Sequence, residues 1–195
     1  MALNEFTTDR KQVFIERERH ANARKGDLSY PMRGVRDNNF LYIRNLMTDR
    51  WPAGDPDVHQ SVGQWGDVDN SISKFLVMGM ENKAAANTPD YFQLTFAKRP
   101  AEELYAVKED PFQLHNLANN PAYAETLVSL QTRLQQWMEA SGDIRATDPQ
   151  TIYWDTVLYT PNYQYENFDL VAQTNQYRIR PPRGPGSAEG IPCLD

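Results

Sequence analysis

The chain has 195 residues, 40% of them hydrophobic and 24% charged, with a formal net charge of −6 and a pI of about 5.1. That is globular composition, enough for one core and a trailing arm. It excludes a basic binder of nucleic acid or anionic membranes, while leaving room for a local basic pocket that takes an anionic substrate.

One cysteine, Cys193, rules out a disulfide within the chain, and nothing beside it in sequence would activate its thiol. No apolar run reaches the roughly 20 residues that span a bilayer. The start, MALNEFTTDRKQ, has no apolar signal core, so the chain as written is expected to stay in the cytoplasm.

Residues 1–29 are polar, with alternating charges over Glu16, Glu18, Arg17 and Arg19 before His20. Val13-Phe14-Ile15 ahead of them reads as a buried strand that delivers this segment. In YPMRGVRDNNFLYIRNL (30–46), Asp37-Asn38-Asn39 suits a tight reversal between two strands. Beyond it, Phe40, Tyr42 and the Arg44 stem share one face, and Leu41, Ile43 and Asn45 the other.

Residues 47–70 are rich in Pro, Gly and Asp and form a long loop. Ser71 caps a short helix through Met80, with Ile72, Phe75, Leu76 and Met80 on one side. YFQLTFAK (91–98) and EELYAV (102–107) alternate as a second pair of strands. Asp110-Pro111 stops the latter.

Asn120-Pro121 opens a helix. Tyr123, Leu127, Leu130, Leu134 and Trp137 form its apolar stripe, and Gly142 ends it. Residues 144–180 read as an extended, aromatic-rich packing arm, and 181–195 as a disordered Pro/Gly-rich tail. The fold class is therefore α+β: a small antiparallel sheet of about four strands packed against one long helix, with long loops.

No self-sufficient catalytic constellation is present. His20, His59 and His115 lie far apart, and no zinc spacing, nucleophile elbow, phosphate loop or dinucleotide fingerprint occurs. Asp37-Asn38 and Asp69-Asn70 read as turn and loop chemistry rather than metal ligands. No catalytic residue and no metal ligand is assigned.

Four segments in order, YPMRGVRDNNFLYIRNL, DRWPAG (49–54), KRPAEELYAVKEDPFQLHNLANNP (98–121) and LQQWMEASGD (134–143), resemble the C-terminal region of alkaline-phosphatase-like sulfatases. The likeness runs from about Val13 to Asp148 and is nearest the heparan N-sulfatase branch. It implies a C-terminal subdomain over 30–143, preceded at 1–29 by a linker from a catalytic domain that lies outside this sequence. That domain, in cis or as a separate chain, would be the partner of this one. It would supply the calcium and the formylglycine that hydrolyse a sulfate ester or sulfamate. The early Asp pair and the later Asp-Asn metal pair of that family are not found in this sequence, so alone it is expected to be inactive. The resembled family is exported, in contrast to the absence of a signal here.

On this reading Glu18, Arg19 and His20 lie near the substrate pocket, where Arg and His suit sulfated sugars and Glu a hydroxyl or amine. The plainer reading is that Glu18 and Arg19 make protein ion pairs and His20 caps a loop. Trp51 either stacks on a sugar or packs in the body. The alternative for the whole chain is a free-standing, non-catalytic carbohydrate-binding or assembly module. Neither a nucleic acid nor a membrane is an expected partner.

Overall fold

The computed structural model describes residues 10–57, 63–83 and 88–156. The chain divides into two units, 1–151 and 152–195. Of the second unit residues 152–156 are described, with one helical turn (Tyr153–Thr156) in which Tyr153 and Trp154 meet edge to face at 5.1 Å. Most of the expected arm, the whole expected tail, Cys193 and His59 lie outside the described residues.

The first unit is built on a four-stranded antiparallel meander, β1 (Gln12–Arg17), β2 (Met32–Asp37), β3 (Phe40–Asn45) and β4 (Glu102–Ala106), in that spatial order. The reversal between β2 and β3 falls at the expected Asp-Asn-Asn. Asp37 Oδ1 accepts the N–H groups of Asn39 (2.9 Å) and Phe40 (2.8 Å), the local bonding that suits Asp to a tight turn. The register Phe14↔Val35↔Tyr42↔Leu104 carries one row of side chains straight across the sheet.

That row meets the long helix. After a 3-10 turn at Pro121–Tyr123, α3 runs Ala124–Ser141. Asn120 caps the turn by accepting Ala122 N–H at 3.1 Å. Gly142, at φ +74°, ends the helix in the left-handed conformation that glycine adopts without Cβ strain. Val35, Tyr42 and Leu104 from the sheet and Leu130, Leu134 and Met138 from α3 form a fully buried core. Phe14 stacks on Trp137 at its edge, with ring centroids 4.8 Å apart. The α+β architecture expected from the sequence is the one observed.

One element differs. Residues 91–98 are not a strand: Tyr91–Phe96 is a short helix, labelled α2 here after α1 (Ile72–Met78). Asp90 caps it by accepting Gln93 N–H at 3.0 Å. Helical spacing brings Phe92 and Phe96, four residues apart, onto one face against Trp65. Alternation of aromatics over six residues fits either period, and the tertiary slot decides: β4 pairs with β3 directly and leaves no place between them. Ala53, Trp65, Phe92 and Phe96 make a second core, flanked by Trp51, Val77 and Met78.

The outer edge of β4 is covered by a side chain. Asn116 Oδ1 accepts Leu104 N–H (2.9 Å) and its Nδ2 donates to Glu102 C=O (3.0 Å). Leu117 N–H then reaches Leu104 C=O at 2.8 Å. This gives the Asn-Leu pair after Asp-Pro a physical role: it occupies backbone groups that an edge strand otherwise presents. Among the described residues no helix is long and apolar enough to cross a membrane.

Candidate functional site

The segment after β1 is fixed residue by residue. Arg17 Nη2 reaches Asp67 Oδ2 at 2.9 Å. Glu18 turns into the protein, where Arg33 Nη2 (2.7 Å) and Arg145 Nε (2.7 Å) both donate to Oε1. Arg19, nearly buried, pairs with Asp27 at 2.6 Å. His20 is the member turned to solvent, 63% exposed, with Nδ1 3.9 Å from Asp67 Oδ1.

Asp67 is the hub. Its buried carboxylate also accepts Ala21 N–H at 2.9 Å and binds Arg24. Arg24, buried as well, donates Nε to Trp51 C=O at 2.6 Å and Nη2 to Pro52 C=O at 2.8 Å. Burial lowers its pKa, and Asp67 opposes the fall. One carboxylate from the long loop thus ties three residues of the 17–24 segment to that loop. The loop passes so close that a Cβ on Gly54 would lie 2.7 Å from Gly66 N and 2.9 Å from Ala23 Cβ, with Gly54 at φ +93°.

Trp51 is half-buried. It meets Trp65 edge to face at 5.2 Å, and Lys98 Nζ sits 4.9 Å from its ring centroid. It borders a cavity of about 600 Å³ shared with Arg24, Asp49 and Asp55.

The larger cavity, about 740 Å³, was not legible in the sequence. It lies on the sheet face turned away from α3, because period-two alternation sends Arg17, Met32, Ile43, Asn45, Glu103 and Tyr105 there. Its walls are α2, through Tyr91 and Leu94, and the loop after β4, through Phe112 and Leu114. Phe112 is 81% and Tyr91 49% exposed.

The floor is a closed polar network. Glu103 accepts Asn45 Nδ2 (2.8 Å), Arg99 Nε (3.2 Å) and the Tyr105 hydroxyl, and Tyr30 OH donates to Asn45 Oδ1 at 3.3 Å. Burial alone would raise the Glu103 pKa. The hydrogen bonds from Arg99, Tyr105 and Asn45 outweigh it and hold the carboxyl below its ordinary value. Burial, then the Glu103 charge, pushes Tyr30 up to about 12, against the opposing charges of Arg99, Arg24 and Arg17.

Among the described residues no group of three or more His, Cys, Asp or Glu side chains is placed to hold a metal ion. No family model matches the chain. Two curated relatives do, both ulvan-active sulfatases of Formosa agariphila. One is 34% identical over 125 residues, 64% of this chain and 19% of the relative. The other is 32% identical over 119 residues, 59% of this chain and 18% of the relative. Over this segment the chain is related to sulfatases. It spans about a fifth of the length of the relatives it matches.

Proposed function

We propose that this chain is the C-terminal, non-catalytic portion of a sulfatase that acts on a sulfated glycan, and that its 18–20 segment borders the substrate. The observation that carries the reading is the similarity to two sulfatases over a segment that is a fifth of their length. Both relatives are described as ulvan-active, which favours a sulfated algal polysaccharide over the heparan N-sulfate suggested by the sequence resemblance.

The geometry divides the labour within the segment. Glu18 and Arg19 hold the backbone through Arg33, Arg145 and Asp27, and His20 stands outward beside Asp67. His20 is therefore the residue to meet a sulfated sugar, with Arg19 and Glu18 positioning it and Trp51 backing the neighbouring loop. Calcium and formylglycine belong to a catalytic body that docks with this one, and no step of the reaction is assigned to the residues described here. Catalysis requires that partner, in cis or in trans.

The test replaces the matching segment of an ulvan-active sulfatase with this chain and measures sulfate release from ulvan and from N-sulfated heparin oligosaccharides. The chimaera is expected to release sulfate from ulvan, the isolated chain to release none, and His20→Ala to raise KM. Loss of all activity in a folded chimaera, or turnover by the isolated chain, would overturn the reading.

A further inference from the structure

Lys74 lies in the first turn of α1 and is only 3% exposed. A cation there opposes the helix dipole, and a packing role beside the Trp65 core would suit an apolar side chain, as Val77 and Met78 show. What a donor can do at this position, and an apolar side chain cannot, is hold backbone oxygens. Its Nζ donates to Trp65 C=O at 3.1 Å and to Val68 C=O at 2.7 Å, with Asn70 Oδ1 at 3.4 Å.

Those two carbonyls are the ends of one turn. Val68 N–H closes it on Trp65 C=O at 3.0 Å, with Gly66 and Asp67 between them. Trp65 enters it at φ +53°, a left-handed conformation that bulky residues rarely adopt and that persists only where surrounding contacts fix it. Lys74 is such a contact at both ends, and Ala53 C=O, which accepts Asp67 N–H at 3.0 Å, is one in the middle. The residue this turn presents is Asp67. Its Oδ1 accepts Ala21 N–H at 2.9 Å and lies 3.9 Å from His20 Nδ1. Arg17 and Arg24 fix the carboxylate, while Lys74 fixes the backbone that carries it.

We propose that Lys74 is a positioning residue for His20, setting through the 65–68 turn the place where Asp67 holds the backbone beside that imidazole. The inference rests on the sulfatase reading for the task of His20. It adds to the 18–20 segment a support from α1, a helix distant in sequence that touches neither Glu18 nor Arg19 through any of the bonds described above.

The test places Lys74→Met, His20→Ala and the two together in the sulfatase chimaera described above, and separates KM from kcat in folded enzyme. Lys74→Met is expected to raise KM about 3- to 10-fold with kcat unchanged, and to add little once residue 20 is Ala, because residues that act through one another are not additive. A merely structural role removes folded enzyme, which lowers the apparent kcat and leaves KM alone. Lys74→Gln, which keeps an N–H donor on a shorter stem, should raise KM less, and it carries the same comparison if Lys74→Met does not fold. Wild-type KM in the Lys74 variants, or equal KM effects with and without His20, overturns the role. In the 195-residue chain alone, the His20 and Ala21 amide resonances should move in Lys74→Met. Unmoved resonances overturn the link whatever the chimaera does. Moved resonances with a folded but inactive chimaera keep the link and reject the sulfatase reading.

Discussion

Glu18 and Arg145, 127 positions apart in sequence, meet face to face: Nε donates to Oε1 at 2.7 Å and Nη2 to Oε2 at 2.8 Å. The pair is two-pronged and buried, and Arg33 completes it by bridging Glu18 to Asp143. It joins the segment that carries His20 to the turn that follows α3. Removing one partner of such a pair strands a buried charge and costs about 3–5 kcal/mol. Arg145→Ala should therefore lower the unfolding free energy, measured by urea titration, by that amount. Arg145→Lys, which keeps the charge and loses the fork, should fall between it and the wild type. A loss under about 1 kcal/mol would show that the network does not hold the segment.

Carboxyls held in such networks, Asp143 and Glu103 among them, contribute to the acid limb of stability. Burial raises the Asp143 pKa, but hydrogen bonds from Arg33 and from Arg145 N–H outweigh it and the net shift is down, as for Glu103. A depressed native pKa means that the unfolded chain binds more protons. The stabilisation is thus complete above the unfolded values, near 3.8 for Asp and 4.5 for Glu, and is lost as the pH falls below them. Urea midpoints should hold between pH 7 and about 5.5 and drop steeply below about 4.5. The alkaline limb has the opposite sign. Tyr42 is pushed up to about 12 by burial and by its bond to Glu102, and Tyr30 equally by burial and Glu103. Their contribution is complete below pH 10 and is lost as the pH rises toward 12. In a phenolate absorbance titration, part of the signal of the ten tyrosines should therefore appear late.

The sheet and long helix were legible because their signals are local and redundant. Asp37 to Asn39 marks the reversal, and a stripe from Tyr123 to Trp137 marks α3, with Asn120 and Gly142 at its ends. The strand expected over 91–98 is a helix at Tyr91–Phe96 because the aromatics there fit both periods. Only the packing of Phe92 and Phe96 on Trp65 chooses between them. Around the candidate site, position along the chain singled out residues 18–20. It carried no information that Glu18 turns inward to Arg145 while His20 turns out. The cleft left no sequence signature, since its floor comes from β1 to β4 and its walls from segments scattered between Pro52 and Leu114.

Asn116 gives the tail of the β4 segment a measurable role. Its side chain replaces a neighbouring strand for Leu104 N–H and Glu102 C=O, and its Oδ1 also accepts Ala118 N–H at 3.0 Å. Asn116→Ala leaves these backbone groups without that partner and should cost about 1–3 kcal/mol. Asn116→Asp keeps the acceptor and loses the donor, so it should cost less. Hydrogen exchange at Leu104 separates this from a general loss of stability: its amide should lose protection in Asn116→Ala and keep it in Asn116→Asp. Equal protection in both variants would reject the role.

The apolar stripe read on α1 is real, and it faces outward. Ile72 is 79%, Phe75 58%, Leu76 60% and Met80 40% exposed. The helix is held instead by its other side. Val77 and Met78 pack on the Trp65 core, and the buried Lys74 donates Nζ to Trp65 C=O at 3.1 Å and Val68 C=O at 2.7 Å. The outward residues therefore contribute little to folding of this body, and a clustered exposed apolar patch favours association. Phe75→Lys with Leu76→Gln should leave the free energy of urea unfolding within about 0.5 kcal/mol of wild type, as surface substitutions do. The same variant should reduce concentration-dependent light scattering. Lys74→Met tests the opposite side, since it leaves two carbonyls without their donor and should destabilise by about 1–3 kcal/mol. A large loss from the surface pair, with none from Lys74→Met, would mean that the two faces of α1 have been assigned the wrong way round.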